Sequence, residues 1–330
     1  MNNFWEKLNK PFFCLAPMAD VTDAAFRRVI AKCGKPDVFW TEFVSADGLF
    51  YRNDRPGGRA VLMKDLIFTK EEKPIVAQFF TSKPEMMERA ARTALELGFD
   101  GIDINMGCPD KSIEKQGAGA SLCKNPTLAR ELIQSAKRGC DNKLPVSVKI
   151  RLGYNTDILE SWLPELLDEE VAAVTIHART RKEMSKVPAR WERIKAAVLI
   201  RNELKSKTLI IGNGDVLSLD DARKKIEETG CDGVMLGKAI FGNPWLFANL
   251  NNSKIKTPTP REKLSVLVEH TNLFEDLLGD VKHFAIMKKH FKAYVSGWDG
   301  AKELRMKLME TNNSGEVEFL ITEYLKKENI

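Results

Sequence analysis

The amino-acid sequence predicts an α/β fold in which a (β/α)8 TIM barrel is followed by a small all-helical C-terminal domain. Up to residue 248, eight short apolar or β-branched runs alternate with amphipathic, helix-like segments. Strands that alternate with helices pair in parallel, and eight such units fit a closed barrel better than an open doubly wound sheet. After residue 248 the spacing of apolar residues becomes purely helical, which predicts a second domain.

The predicted strands are apolar on both faces, as strands covered by helices in a parallel sheet must be. In chain order they are Phe12–Ala19, Val38–Val44, Pro74–Phe80, Gly101–Gly107, Pro145–Leu152, Ala173–Ala178, Thr208–Gly212 and Gly233–Leu236. Between them, apolar residues that recur every three to four positions predict helices at Glu85–Leu97, Leu128–Arg138 and Leu219–Thr229.

A change of composition marks the end of the predicted barrel. Asn249–Pro260 is rich in Asn, Lys, Thr and Pro, which is typical of a linker. From Arg261 onward the pattern is helical, and the clearest runs are His283–Val295, Gly300–Met309 and Glu316–Lys327. We therefore expect a barrel over residues 1–248 and a helical domain over residues 249–330.

The composition is that of a globular protein rather than a disordered, fibrous or membrane protein. The chain is 43% hydrophobic and 29% charged, and no apolar run approaches the roughly 20 residues that a spanning helix needs. Its six cysteines form no CxxC pair, so neither a disulfide framework nor a metal site is indicated. Met1–Lys10 has no apolar signal core, and we expect a cytoplasmic protein.

The basic residues are unevenly distributed along the chain. The net charge is only +5, but Arg179–Lys207 contains ten basic and three acidic residues. A basic run of this kind is either a solvated helix face or a surface for an anionic partner. Because it follows the sixth predicted strand, we expect it at the mouth of the barrel.

Polar or ionisable groups follow nearly every predicted strand. In this fold, chemistry takes place at the carboxyl ends of the strands. Helix caps would explain one or two such residues but not a ring of them, so the pattern predicts an active site at this end. The groups are Glu42, Gln78, Asn105, Lys149, Arg151, His177, Arg179, Asn213, Asp215 and Lys238.

Two glycine turns follow the last two predicted strands, at Asn213-Gly214-Asp215 and at Gly237-Lys238. Barrel enzymes commonly hold a phosphate at these loops, although each turn alone could be an ordinary connection. Gln78, Lys149 and His177 supply an amide and two donor or cationic groups, which suit the carbonyl and N–H edge of a flavin. No GxGxxG motif opens a strand–helix unit, so a Rossmann-type nucleotide site is not indicated.

Cys108 lies between Gly107 and Pro109, just past the fourth predicted strand. A cysteine in such a loop is a general acid or a nucleophile, or else a buried filler, which is how we interpret the other five cysteines. No Cys-His-Asn order surrounds it, which disfavours a hydrolase. The small-residue run Gly117–Leu122 that follows is typical of a mobile lid.

Taken together, these motifs resemble the signatures of the tRNA-dihydrouridine synthase family, most closely its bacterial B-type branch. The resemblance covers the whole predicted barrel, and the helical part is similar to the family's tRNA-binding domain. The matching segments are Leu15–Ala19, Thr22-Asp23, Asp103–Pro109, Val148–Arg151, Thr175–Arg181, Gly212–Asp215 and Gly237–Trp245.

The resemblance implies an FMN-dependent reduction of the uracil C5=C6 bond in tRNA, with NADPH as the reductant. It implies that Cys108 protonates C5, that Asn105 lies beneath the substrate base, and that the lid Gly117–Leu122 closes the pocket. The FMN contacts that it implies are Pro17, Met18, Gln78, Lys149, His177, Asn213, Gly214, Asp215, Gly237 and Lys238.

The resemblance also implies tRNA as the partner, and we expect a monomer with no membrane contact. Arg179, Arg181 and Lys182 match the family's tRNA-facing cations. One position departs from the family pattern, because the second phosphate motif usually ends in Gly-Arg and here ends in Lys238. Lysine keeps the charge but loses the bidentate fork, so weaker phosphate binding is expected. On the helical domain we expect tRNA contacts from Lys288, Lys289, His290, Lys292 and Arg305.

Two other hypotheses stay open at this point. An FMN-dependent barrel oxidoreductase acting on a small-molecule enone or pyrimidine would use the same flavin residues, but it leaves the basic segment and the helical domain unexplained. A tRNA-binding protein without catalysis would not need Cys108, Lys149 and His177. Binding of tRNA that weakens steeply with salt would favour a tRNA enzyme over the small-molecule oxidoreductase.

Overall fold

Eight parallel strands form the predicted barrel. The structure is a computed structural model, and it describes residues 3–50, 58–248, 250 and 258–328. The strands are β1 Phe12–Leu15, β2 Phe39–Ser45, β3 Ile75–Phe80, β4 Gly101–Met106, β5 Val146–Arg151, β6 Ala173–His177, β7 Leu209–Asn213 and β8 Gly233–Leu236.

The strands pair in the order β1-β8-β7-β6-β5-β4-β3-β2. The barrel closes where Leu15 of β1 donates its backbone N–H to the carbonyl of Val38, beside β2, at 3.2 Å. All eight predicted strands are confirmed, although β1 ends at Leu15 rather than Ala19. Pro17 has no backbone N–H to give to the sheet, and the chain turns there towards Asp23, the N-cap of the first helix.

Helices cover the outside of the barrel and continue after it. Within the described residues they are α1 Ala24–Cys33, α2 Ala46–Phe50, α3 Gly58–Lys64, α4 Pro84–Leu97, α5 Lys111–Glu114, α6 Pro126–Gly139, α7 Leu159–Leu167, α8 Trp191–Glu203, α9 Leu219–Thr229, α10 Pro260–Leu278, α11 Lys288–Tyr294, α12 Ala301–Leu308 and α13 Ser314–Glu328. The predicted helices between the strands are confirmed as α4, α6 and α9. None of the helices in these ranges is long and apolar enough to cross a membrane.

The helices α10 to α13, called here the C-terminal helices, confirm the predicted helical pattern after the barrel. A capping box fixes the start of α10, because Thr259 N–H donates to Glu262 Oε2 at 2.8 Å and Glu262 N–H donates to Thr259 Oγ1 at 3.2 Å. The predicted linker Asn249–Pro260 falls mostly outside the described residues. The division at residue 248 therefore stays a prediction.

A cluster of buried rings joins the C-terminal helices to α1 of the barrel. Phe26 stacks on His270 and meets His290 edge-on, each at a centroid distance of 4.8 Å. Both histidines are fully buried, and neither ring nitrogen of His290 has a hydrogen-bond partner within the described part of the chain. The prediction that His290 contacts tRNA is therefore wrong, because its ring fills this interface.

These buried histidines make the stability of the protein depend on pH. Burial lowers the pKa of His290 to about 3, and burial also lowers the pKa of His270. Below a pH of about 6.5 the unfolded chain binds protons on these side chains and the native state does not, so stability falls as the pH falls. We expect His290→Leu to reduce this slope by up to about 1.4 kcal/mol per pH unit, measured by urea unfolding between about pH 6.5 and pH 5.

The control for this prediction is His283→Asn. The His283 ring is exposed, and its Nδ1 caps the backbone N–H of Ala285 at 3.0 Å, a role that asparagine also fills. We expect this variant to keep the wild-type slope. Equal slopes for His290→Leu and the wild type would contradict the assignment of the effect to the buried ring.

An ion cluster also ties the segment after α10 to the barrel. Lys282 Nζ lies 2.7 Å from Glu42 Oε2 and 2.7 Å from Asp65 Oδ1, and its side chain is only 8% exposed. The other oxygen of Glu42 accepts the backbone N–H of Asp20, in the loop between β1 and α1. Burial raises the pKa of Glu42 to about 7 even with Lys282 beside it. The cluster thus connects the C-terminal helices to the loop that follows β1.

Candidate active site

A cavity of about 290 Å³ opens at the carboxyl ends of the barrel strands, where the fold places its chemistry. Most of the residues predicted from the sequence line it. They are Pro17, Met18, Gln78, Asn105, Cys108, Lys149, His177, Arg179, Asn213, Gly214, Asp215, Gly237 and Lys238. Arg181 and Lys182 lie outside its lining.

The sequence assigned the wrong residue of β2 to the mouth. The pairing of β2 with β3 shifts register between Trp40 and Phe43, as at a β-bulge. As a result Phe43 lines the cavity, and Glu42 lies in the ion cluster with Lys282. Leu217, which is 78% exposed, also lines the cavity, and no pattern in the sequence distinguished it from other apolar residues.

Hydrogen bonds fix the backbone of Cys108 at both its N–H and its carbonyl group. Its backbone N–H donates to Asn105 Oδ1 at 2.9 Å, and its carbonyl accepts the N–H of Ala120 at 2.9 Å. Burial raises the pKa of the thiol above its ordinary value, although Lys149 and Arg151 act in the opposite direction. The thiol is therefore protonated at neutral pH, as a proton donor must be.

The prediction of a mobile lid at Gly117–Leu122 is wrong in its placement. Ala118, Ala120 and Leu122 are buried, and none of the segment lines the cavity. Gly119 has φ +61°, and a Cβ there would lie 2.8 Å from the Cys108 carbonyl oxygen. The small residues therefore allow close packing under the Cys108 loop rather than movement over the mouth.

Positive charge is concentrated around the cavity. The charged side chains of its lining are Lys149, Arg151, Arg179, Lys238 and Asp215. Burial and the Arg151 guanidinium lower the pKa of Lys149 to about 8, and burial lowers the pKa of Arg151 to about 10. Burial and the same cations lower the pKa of His177, which is therefore neutral at pH 7. An anionic ligand would offset this repulsion.

His177 is held in one tautomer by its neighbour. Arg179 Nη1 lies 3.1 Å from His177 Nε2, and because a guanidinium only donates, Nε2 accepts and the ring proton is on Nδ1. Arg179 also donates to the carboxylate of Asp215, and this hydrogen bond lowers the pKa of Asp215. Arg179 is only 4% exposed and forms part of the cavity wall, and its predicted contact with tRNA stays a prediction.

The two glycine turns complete the far side of the cavity. Gly214 has φ +126°, and a Cβ there would lie 2.9 Å from Ala189 Cβ and 3.2 Å from His177 Cδ2, so the position requires glycine. Beside it, Asn213 Oδ1 accepts a hydrogen bond from Lys149 Nζ at 3.3 Å. The turn after β7 therefore begins beside the lysine of β5.

Arg181 joins two loops at the rim of the cavity. Its Nε donates to Glu114 Oε1 at 2.6 Å, which links the loop after β6 to the segment after Cys108. Tyr154 OH donates to the same carboxylate. Lys124 Nζ lies over the Tyr154 ring, 3.1 Å from the ring centroid. Lys182, next in sequence, is exposed. Of the predicted pair, Lys182 offers its charge to solvent, whereas that of Arg181 is largely compensated.

The sequence predicted that the basic segment Arg179–Lys207 lies at the mouth of the barrel, but only part of it does. Arg201 Nη1 donates to the carbonyl of Thr208 and to Asp232 Oδ2, both at 2.9 Å. Thr208 and Asp232 directly precede β7 and β8, so the last part of the segment reaches the opposite, amino-terminal end of the barrel. Helix α8 carries the chain from one end to the other, which separates the charges.

The lining fits a phosphorylated flavin. Gln78, Lys149 and the neutral ring of His177 supply donors and acceptors for a polar heterocycle. Gly214 keeps the backbone open for a close approach, and Lys238 adds a cation at the last strand. The excess of positive charge suits the phosphate.

Comparisons with known proteins agree on one family. The family model described as dihydrouridine synthase matches residues 14–329. A probable tRNA-dihydrouridine synthase 2 from Bacillus subtilis strain 168 is 41% identical over 328 residues, covering 98% of this chain and 97% of that protein. A probable tRNA-dihydrouridine synthase from Staphylococcus aureus strain COL is 40% identical over 324 residues, covering 98% and 95%.

Solved structures support the barrel fold. Histamine dehydrogenase from Rhizobium sp. 4-9 superposes with a TM-score of 0.54 at 13% identity, covering 79% of this chain and 48% of that one. A 2-naphthoyl-CoA reductase gives 0.54 at 11% identity, covering 72% and 49%. At such low identity the likeness concerns the fold alone.

Proposed function

The chain belongs to the dihydrouridine synthase family, and from this membership and the cavity we propose that it reduces uridine in tRNA to dihydrouridine. The observation that carries the proposal is the position of Cys108 in the lining of a cation-lined cavity that suits a flavin, where burial raises the pKa of its thiol. Full-length relatives named as tRNA-dihydrouridine synthases support tRNA as the substrate.

We propose FMN as the flavin and NADPH as its reductant. Gln78, Lys149 and His177 would hold the polar ring edge, and Gly214 and Lys238 the phosphate. When bound, FMN supplies the hydride for C6 of the uracil ring. The positive charge of Lys149 in a buried site favours the binding of an electron-rich ring.

Cys108 supplies the proton in this proposal. Its raised pKa keeps a proton on Sγ, and the loop that carries it is fixed by Asn105 and Ala120. Donation from Sγ to C5 leaves a thiolate, which the nearby cations Lys149 and Arg151 stabilise. The exposed Lys182 at the rim, and Lys289 and Lys292 on α11, are proposed phosphate contacts for tRNA.

The other two side chains predicted to contact tRNA from the C-terminal helices are less exposed to solvent or already hydrogen-bonded. Lys288 is half-buried, and Arg305 Nη1 donates to the carbonyl of Val295 at 3.1 Å. We propose that the protein is cytoplasmic, since its proposed substrate is tRNA, and that it is a monomer. Size-exclusion chromatography with light scattering tests the monomer.

Mapping dihydrouridine in tRNA tests the function. tRNA from a strain that lacks this gene would be treated with the purified protein and NADPH, and dihydrouridine located by reverse-transcription stops. We expect new dihydrouridine at defined positions, and tRNA affinity that falls steeply between about 50 and 200 mM salt. If the protein rapidly reduced a small enone or free pyrimidine but did not reduce tRNA, the result would instead support a small-molecule oxidoreductase.

Lys238 tests the proposed phosphate site. Because it would contact only the phosphate of FMN, we expect Lys238→Ala to raise the Kd for FMN about tenfold and to leave the Kd for riboflavin unchanged, measured by flavin fluorescence quenching. Lys238→Arg restores a bidentate fork and is expected to bind FMN at least as tightly as the wild type. Equal weakening for both flavins would place Lys238 elsewhere in the site.

A further inference from the structure

A buried carboxylate lies directly beneath the cavity, outside its lining. Asp103 of β4 has no exposed surface. Its Oδ1 accepts a hydrogen bond from Ser147 Oγ at 2.6 Å, and its Oδ2 accepts one from Gln78 Nε2 at 2.7 Å. Burial raises the pKa of Asp103 to about 6. A charged group is costly to bury without hydrogen bonds, and each oxygen of Asp103 has a partner.

A chain of hydrogen bonds runs from Asp103 to the cysteine loop. Gln78 Oε1 accepts from Asn105 Nδ2 at 3.1 Å. Asn105 Oδ1 in turn accepts the backbone N–H groups of Gly107, at 3.1 Å, and Cys108, at 2.9 Å. Gln78, Asn105 and Cys108 all line the cavity, whereas Asp103 does not.

The chemistry of the two ends fixes the direction of this chain. A backbone N–H only donates, so the Asn105 atom that faces Gly107 and Cys108 must be its oxygen. The Asn105 amide nitrogen then faces Gln78, which must offer its oxygen in return. The Gln78 nitrogen is thereby left facing Asp103, where it needs an acceptor. Asp103 is the group that meets this need.

We propose that Asp103 is a positioning residue that sets the orientation of the Gln78 and Asn105 amides and, through them, holds the Cys108 loop. Without an acceptor at position 103, the orientation of Gln78 that Asn105 requires leaves Gln78 Nε2 buried without its partner, so this orientation is less favoured. Asn105 then holds the Cys108 backbone less firmly, and Gln78 presents different groups to the cavity. The inference rests on the proposed function for its catalytic meaning, but the hydrogen-bond chain itself does not.

The test compares three variants that are close in size. Asp103→Val removes the acceptor. Asp103→Asn keeps an oxygen for Gln78, because its amide nitrogen has Ser147 Oγ as a partner. Ser147→Ala is the matched control, since it removes the hydrogen bond to Asp103 Oδ1 and leaves the chain from Asp103 Oδ2 to Cys108 in place.

The main measurement uses the protein without flavin or tRNA. The rate at which iodoacetamide alkylates Cys108 is followed by mass spectrometry of its peptide, as a function of pH. Because burial keeps the thiol protonated, a loosened loop exposes it, and we expect Asp103→Val to be alkylated about tenfold faster near neutral pH. Asp103→Asn and Ser147→Ala are expected to stay within about threefold of the wild type.

Flavin affinity and the rate of tRNA reduction are measured on the same variants. We expect Asp103→Val to weaken both and the other two variants to change neither by more than about threefold. A folded Asp103→Val protein with wild-type alkylation and flavin affinity would overturn the inference. Failure of the wild type to reduce tRNA would count against the proposed function and leave the alkylation result intact.

A second route covers the case in which Asp103→Val does not fold. In the double variant Asp103→Asn with Ser147→Ala, the asparagine nitrogen loses its partner, and the orientation needed by Gln78 is no longer favoured. We expect the double variant to be alkylated about tenfold faster although each single variant is not. Additive behaviour of the two substitutions would overturn the proposal.

Discussion

Replacing Cys108 by alanine is expected to lower the rate of dihydrouridine formation by about 100- to 10,000-fold, the contribution of a positioned general acid. The thiol lines the cavity, and burial keeps it protonated. No charge is lost at neutral pH, and we expect the affinities for FMN and tRNA to stay unchanged. Single-turnover reduction of tRNA by the pre-reduced enzyme measures the effect.

Cys123→Ala is the matched control for this prediction. Cys123 directly follows the segment Gly117–Leu122 that packs under the Cys108 loop, and it is buried and does not line the cavity. We expect it to keep nearly full activity. In the wild type, activity should be lost as the pH rises through the raised pKa of Cys108, because the thiolate has no proton to give. Wild-type turnover by Cys108→Ala would remove the cysteine from the mechanism.

Replacing Lys282 by methionine is expected to lower the free energy of unfolding by about 3–5 kcal/mol, because it leaves buried carboxylates without their cation. Glu42 and Asp65 both lie 2.7 Å from the ammonium group, which is nearly inaccessible to water. Without Lys282, uptake of a proton by the buried Glu42 stabilises the native state of the variant. The loss should therefore be smaller at about pH 6 than at about pH 8, as measured by urea unfolding.

Lys64→Met separates this effect from a general loosening of the interface. Lys64 also reaches the C-terminal helices, where its Nζ lies 2.9 Å from the carbonyl of Leu277 and 3.3 Å from Asp280. Its side chain is 32% exposed, so we expect a loss below about 1 kcal/mol. Equal losses for the two lysine variants would contradict the special role of the buried cluster.

The barrel could be predicted from the sequence because its signals are local. Each strand is a short run that is apolar on both faces, and nearly every strand is followed by a polar group. The ring formed by Gln78, Lys149 and His177 follows from the fold, since all parallel strands end at one side of the barrel. The site residues themselves stay proposals until the variants are made.

The partners of the charged residues could not be predicted, because they are distant in sequence. Arg181 meets Glu114 from another loop, and Arg201 reaches Asp232 at the far end of the barrel. Because of the bulge in β2, Phe43 rather than Glu42 lines the mouth of the barrel. The alternation of side chains along a regular strand does not reveal such a bulge. The lysines around His290 are typical of an exposed basic helix, but the His290 ring is buried between the C-terminal helices and α1.

The ion cluster at Glu42 also bears on how the protein is made. Lys282 is separated from Glu42 by 240 positions, so the ribosome completes every strand of the barrel before this counter-charge is synthesised. The rings that cover Phe26 come equally late. A nascent chain that stops after β8 therefore carries an uncovered α1 and unpaired carboxylates. Phe26 and Glu42 therefore reach their native contacts only after α10, Lys282 and His290 have been synthesised.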